Sequence, residues 1–201
     1  MRDKILSTSA DLFLNLGFKS VTMDDIANKI GISKKTIYQH YTTKTKLVEA
    51  TTLFVFDNIS KSIDDIRATY QNPIEELLEI KKIVMMHLKN EKTSPQYQLH
   101  KYYPKIYSTI KTKQFDLISE CTISNLERGV ETGLYRKDIH IDFVSRLYFS
   151  SLTSFKDAEL FPHKSFSMSM LLDHFLDYHL RGICTPKGIE RLDQYVSKNQ
   201  S

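Results

Sequence analysis

Three observations predict an all-α fold. Apolar residues recur at helical spacing along nearly the whole chain. Helix-start and helix-stop residues punctuate that pattern at regular intervals. Glycine and proline number only 6 and 5 in 201 residues, too few for a turn-rich β-sandwich. Hydrophobic residues make up 41% and charged residues 26%, which fits a globular chain with a real core and excludes a disordered acidic tail.

The first helix carries Ile5, Ser9, Leu12, Phe13 and Leu16, and Gly17 closes it. Thr22 and Asp25 form a capping-box pair for a short second helix, whose apolar side is Ile26, Ala27 and Ile30. Gly31 ends it, Ser33 is the next N-cap, and Ile37 and Tyr41 continue the buried face. A long helix follows Thr43, with Leu47, Leu53, Phe54, Ile59, Ile63 and Ile66 reaching to about Tyr70. Asn72-Pro73-Ile74-Glu75 starts the fifth helix, which runs to roughly Lys89. Ser94 to Tyr107 is broken by Pro95 and Pro104 and is rich in tyrosine. A long helix spans about Lys105 to Thr132 and ends near Gly133. Asp142 to Glu159 and Ser165 to Arg181 form two more, separated by Phe161-Pro162-His163. Thr185-Pro186 opens a short last helix with Ile189, Leu192 and Val196 on one side. The total is about nine or ten helices, with no strand, low-complexity stretch or internal repeat.

No apolar run approaches the ~18 residues of a membrane span. The start, Met1-Arg2-Asp3-Lys4, has no secretory pattern, so a cytoplasmic protein is expected. Cys121 and Cys184 fit no metal or redox spacing and are read as two reduced, semi-buried thiols.

The expected boundary lies inside the fourth helix. Residues 1–47 form a small N-terminal head and residues 48–201 a larger helical bundle. Charge supports the split. Residues 1–50 carry eight Lys/Arg and five Asp/Glu, whereas 51–201 carry twenty and nineteen. Between Ile26 and Val48 stand Lys29, Lys34, Lys35, Lys44, Lys46 and His40 without one acid, which points to a polyanion partner for this segment alone.

Residues 22–41 read TMDDIANKIGISKKTIYQHY. Two short helices joined at Gly31 fit a helix-turn-helix, whose second helix can enter a DNA major groove. Small Ala27 permits close helix approach. Ile32, Ile37 and Tyr41 pin the second helix, leaving Lys34, Lys35, Thr36, Tyr38, Gln39 and His40 on its outer side. These cationic and hydrogen-bonding groups suit phosphates and base edges.

The residues Ile5-Leu6, Leu12-Phe13, Gly17-Phe18, Thr22, Ile26-Ala27, Gly31-Ile32-Ser33, Ile37-Tyr38, His40-Tyr41, Lys44 and Leu47 resemble the DNA-binding domain of the TetR (tetracycline repressor) family of bacterial transcriptional regulators. Gly133 to Ile139 is similar to a loop that precedes the eighth helix in many members. The resemblance implies an N-terminal helix-turn-helix domain and a C-terminal bundle for ligand binding and dimerisation. Lys34, Lys35 and Gln39 would face base edges. Thr22, Thr36, Tyr38, His40 and Lys44 would hold phosphates or position the helix. Thr8 and Ser9 stand where many relatives have two alanines, and no basic arm precedes the first helix. The implied partners are double-stranded operator DNA, a second copy of the chain and a small-molecule inducer. The implied role is a repressor released from its operator by that inducer.

Dimer contacts are expected late in the chain. Phe143, Leu147, Ser151 and Ser154 lie on one helix, and Leu172, Phe175 and Leu176 on the next. Tyr97, Tyr102, Tyr103, Tyr107, Phe115 and Tyr148 are the candidates to line a site for a hydrophobic or aromatic ligand. No nucleophile elbow, phosphate loop or zinc helix motif is present, so the chain reads as no enzyme and as needing no cofactor. Asp173, His174, Asp177 and His179 form the only local cluster with ligand-like residues, read as hydrogen-bonded groups rather than a metal site.

Overall fold

The computed structural model describes residues 1–88, 95–157, 159–162 and 164–199. Ten helices are described: α1 Arg2–Leu16, α2 Met23–Ile30, α3 Lys34–His40, α4 Lys44–Thr69, α5 Pro73–Leu88, α6 Pro95–Tyr102, α7 Pro104–Glu131, α8 Ile141–Ser154, α9 Met168–Ile183 and α10 Pro186–Asn199. No strand occurs among the described residues. A single antiparallel bridge joins Tyr135 to Cys184. The all-α expectation holds.

Proline explains where four helices begin. Pro73, Pro95, Pro104 and Pro186 each occupy the first helical position, where the missing N–H costs nothing and the fixed φ suits a helix. The segment from Ser94 to Tyr107 therefore differs from its expectation. It is α6 followed directly by α7, because both prolines start helices instead of interrupting one. Ser94, Lys89 and His163, named in the expected boundaries, lie outside the described residues. The eighth helix stops at Ser154 rather than Glu159. The ninth begins at Met168, where the Ser167 hydroxyl caps Met170 N–H at 3.2 Å.

The chain divides into two compact units. One comprises Met1–Ser62 with Met86–Gln114, the other Ile63–Met85 with Phe115–Ser201. In the first, Ile5, Phe13, Ile26, Ile37 and Leu47 are fully buried, and Leu99, Ile106 and Ile110 of α6 and α7 join the same core. Packing thus attaches α6 and the start of α7 to the N-terminal head.

In the second unit the core is Ile74, Leu126, Tyr135, Leu176, Leu180 and Leu192. A buried polar network runs through it. Asn125 donates to the Pro73 carbonyl at 2.9 Å and to Glu76 Oε1 at 2.8 Å, and accepts from the Tyr135 hydroxyl at 3.1 Å. Arg128 pairs with the other oxygen of Glu76, which is fully buried. Gly129 is required here, since a Cβ would fall 1.9 Å from the Tyr135 ring. Asn72 caps α5 as its sequence position predicts, accepting from Ile74 N–H at 2.9 Å.

Candidate nucleic-acid interface

The head is built from its caps outward. Thr22 Oγ1 accepts from Asp25 N–H at 3.2 Å, and Asp25 Oδ2 accepts from Thr22 N–H at 2.8 Å, which closes the capping box of α2. These bonds hold the Asp25 carboxyl below the usual carboxylate range. Gly31 turns the chain at φ 79°, a left-handed conformation that favours glycine, and its N–H bonds back to the Ala27 carbonyl at 2.9 Å. Ser33 then caps α3 through Thr36 N–H at 3.1 Å.

α3 has one buried side. Ile37 is fully covered and Tyr41, at its C-terminus, is 5% exposed, whereas Tyr38 is 40% exposed. The two tyrosines divide as their spacing predicts, Tyr41 into the core and Tyr38 outward. The Tyr41 hydroxyl accepts from Arg2 Nε at 3.2 Å, which ties α3 to the start of α1. Lys34, Lys35, Gln39 and His40 are exposed, and Thr36 is half-buried with its hydroxyl 2.8 Å from that of Ser33.

Lys44 opens α4 in a half-buried position, its ammonium donating to the Lys19 carbonyl at 3.3 Å. Burial lowers its pKa, and nearby Asp25 opposes that shift. A surface hollow of about 360 Å³ beside the end of α3 is lined by Arg2, His40, Tyr41, Thr42, Lys46 and Glu49 among others.

The lysine cluster is not as unpaired as its own window suggested. Lys34 bonds Asp24 at 2.7 Å, and Lys46 bonds Glu49 at 2.8 Å. Both acids lie just outside residues 26–48. Asp24 reaches Lys34 because the turn at Gly31 folds α3 back on α2. Sequence reading missed Asp24, whose only signal is its place in the first turn of α2. Lys35 has no ion-pair partner among the described residues.

The other candidates are spread over both units. Tyr103 and Tyr107 pack against the N-terminal core, and Tyr97 and Tyr102 are exposed on the same unit. Phe115 meets Phe149 edge-on at 5.0 Å in the second unit. There Tyr148 is buried against Phe175 and His179. Phe143 and Leu147 are exposed on α8, and Ser151, Ser154 and Phe175 are half-buried. Leu172 and Leu176 lie in the core of their own unit.

Of the cluster on α9, Asp173 pairs with Lys81, Asp177 pairs with Arg181, and His174 is exposed. His179 is instead 7% exposed, and its Nε2 has no hydrogen-bond partner. Burial lowers its pKa to about 4. Both thiols are free and burial raises each to about 11, so neither is a ready thiolate. Among the described residues no helix is long and apolar enough to cross a membrane.

A capped, outward-facing second helix joined to α2 at Gly31 is a helix-turn-helix, the arrangement with which one helix enters a DNA major groove. Residues 5–51 match the family described as "Bacterial regulatory proteins, tetR family", so the head is of TetR type and the resemblance read from its residues holds. The chain is 26% identical over 152 residues to the transcriptional repressor KstR2 of Mycolicibacterium smegmatis, covering 72% of each protein. It is 29% identical over 106 residues to IcaR of Staphylococcus aureus, a negative regulator of the icaADBC biofilm operon, covering 48% of this chain and 57% of that protein. This second match spans little more than half of the relative's length. Among solved structures, a transcriptional regulator from Cytophaga hutchinsonii superposes with a TM-score of 0.74 at 16% identity, over 92% of this chain and 98% of the other. The relatives are regulators of transcription, and the head carries the helix-turn-helix of that class.

Proposed function

We propose that the chain is a repressor that reads a two-part duplex site as a homodimer and leaves it when a small hydrophobic or aromatic ligand binds the C-terminal unit. The observation that carries the DNA part is the outer side of α3. Ile37 and Tyr41 are fixed in the core while Lys34, Lys35, Tyr38 and Gln39 project from a capped helix. In this reading Lys34, Lys35 and Gln39 meet base edges. Thr22, Thr36, Tyr38, His40 and Lys44 hold the backbone, and residues 1–47 are the DNA-reading part. That both named relatives are repressors supports the sign of regulation.

Dimerisation follows from geometry on the DNA. One short helix spans a few base pairs, and two placed about 34 Å apart read both halves of a palindrome. The face that suits a second copy is exposed Phe143 and Leu147 beside Ser151 and Ser154 on α8, with exposed Met170 and Tyr178 on α9. Leu172, Phe175 and Leu176 support α9 from beneath. For the ligand, the second unit offers Phe115 and Tyr148 as ring surfaces and the unpartnered His179 Nε2 as a polar anchor. A ligand that binds one dimer geometry better than the other shifts the population away from the DNA-binding form.

Selection from a random duplex library, followed by footprinting and electrophoretic shift, tests the reading. The expected result is one recovered palindromic sequence, bound by a dimer, with affinity falling steeply as salt rises. Lys35→Ala should weaken that binding. Equal affinity for every duplex, with no footprint, overturns it.

A further inference from the structure

Residues 95–114 hold Lys101, Lys105, Lys111 and Lys113 and no acid. They belong to the same compact unit as the helix-turn-helix. The net charge of residues 51–201 concealed this second basic stretch, because acids elsewhere in the bundle cancel it.

α6 presents an ordered basic and aromatic ledge. Lys19 Nζ lies 5.4 Å from the centre of the Tyr102 ring, and Lys101 Nζ lies 5.6 Å from the same ring. Lys101 also sits 5.5 Å from the Tyr97 ring and donates to its hydroxyl at 3.3 Å. Tyr97 is 60% exposed and Tyr102 40%. Among the described residues, neither ammonium has a carboxylate partner. Two like charges on one exposed ring repel, and a ring face is a weak counter-ion. A polyanion relieves that repulsion.

The ledge is joined to the proposed interface through Lys19. The Gln98 side-chain oxygen accepts from the Lys19 N–H at 3.3 Å, fastening α6 to the loop before α2. The Lys19 carbonyl takes the Lys44 ammonium, and Thr22 caps α2 three residues further on. The rings of Tyr97 and Tyr102 limit the wandering of their lysines, and the backbone of Lys19 anchors Lys44, one of the residues read as phosphate contacts.

We propose that Lys19, Lys101 and the rings of Tyr97 and Tyr102 form a second contact for the phosphate backbone of the same duplex, outside the base pairs that α3 reads. This rests on the DNA-binding reading above and assigns Tyr97 and Tyr102 to DNA rather than to a small ligand. The contact carries affinity and not sequence preference, since phosphates hold no sequence information.

The test uses the full chain and a duplex recovered from the random library, made in two lengths: trimmed to the footprint core, or extended by about one helical turn on each side. Binding is followed by fluorescence anisotropy across a salt series. The Lys19→Ala/Lys101→Ala variant removes four ammoniums from a bound dimer and should lower the salt slope on the long duplex by up to about 4. It should match the wild type on the trimmed duplex and recover the same preferred sequence. Lys19→Arg/Lys101→Arg should restore the slope on the long duplex. A wild-type slope from the alanine variant on the long duplex overturns the proposal, as does an equal loss on both lengths. So does loss of binding to a fluorescent polyglutamate peptide with duplex binding intact, which would assign the ledge to an acidic protein. A wild type that recovers no sequence from the library defeats the DNA reading itself.

Discussion

The two units differ in where their most heavily bonded polar side chains lie. In the head, charged and hydrogen-bonding groups stand at the surface and take partners nearby in sequence: Thr22 with Asp25, Ser33 with Thr36, Lys34 with Asp24. The second unit has such local surface pairs too, Asp177 with Arg181 among them, but it also carries one set of polar groups inside and joins them across the chain. Glu76, Asn125, Arg128 and Tyr135 share one network spanning α5, α7 and the loop after it. The contrast follows from what each unit does. A surface that meets DNA keeps its donors free to exchange water for phosphate. An interior network instead fixes one arrangement of helices, and each of its members becomes costly to remove.

The largest effect expected from this contrast is in the network. Glu76→Ala strips the partner from Arg128 and from one Asn125 donor. Breaking a buried pair costs about 3 to 5 kcal/mol, and the part-exposed Arg128 places the expectation near the lower end, about 3 kcal/mol. Urea unfolding measures it. A loss comparable with that of a surface pair would remove the distinction between the units.

His179 sharpens the comparison through pH. Its imidazole is enclosed by the Tyr148 and Phe175 rings and is held neutral, with a pKa of about 4 against an ordinary 6.5. The folded state therefore binds fewer protons than the unfolded state between those values. Stability is full above pH 6.5 and declines as pH falls toward 4, by up to about 3 kcal/mol in all. Carboxylates titrate in the same window, so the informative quantity is the difference between wild type and His179→Phe. The variant should lose less stability between pH 7 and pH 4.5. Parallel curves would mean that His179 is charged in the folded protein.

These two residues mark the limit of what the sequence disclosed. The positions of most helices, the caps at Thr22, Ser33 and Asn72, the turn at Gly31 and the opposite fates of Tyr38 and Tyr41 are readable, because each depends on neighbours within about four residues. The proline-rich stretch was misread where a general rule about helix breaking outweighed the positional one that favours proline at a helix start. Glu76 and Asn125, 49 residues apart, show no local sign of their bond. Aromatic candidates were the least readable. A ring at helical spacing looks the same whether it packs in a core, as Tyr103 does, or stands in solvent, as Tyr97 does.

A smaller change is expected at the caps of the head. Thr22→Ala removes the hydroxyl that takes Asp25 N–H and should cost about 1 kcal/mol, as N-cap replacements usually do. Its effect on DNA binding separates two roles. If Thr22 only caps α2, a Thr22→Ser variant restores both stability and affinity. If its methyl group also packs against the duplex, stability returns and affinity does not.

The smallest effect on stability, and the sharpest test of the contrast, belongs to Asp24. Its bond to Lys34 is exposed on both sides, and exposed pairs contribute little to folding. Asp24→Asn should leave the unfolding midpoint unchanged. Its effect should be seen on DNA instead. In the wild type, Lys34 must leave a carboxylate before it can meet a phosphate or a guanine, and that carboxylate stays behind as a negative charge beside the duplex. Removing it should raise affinity for unrelated duplexes several-fold while affinity for the preferred sequence rises less, so discrimination narrows. Anisotropy with both duplexes at one salt concentration measures this directly. If unrelated DNA binds no better, Asp24 faces away from the duplex and Lys34 does not approach it. If stability falls as well, the surface pair has acquired the structural weight of an interior one, and the distinction between a head that keeps its charges exchangeable and a bundle that locks them would fail at its simplest point.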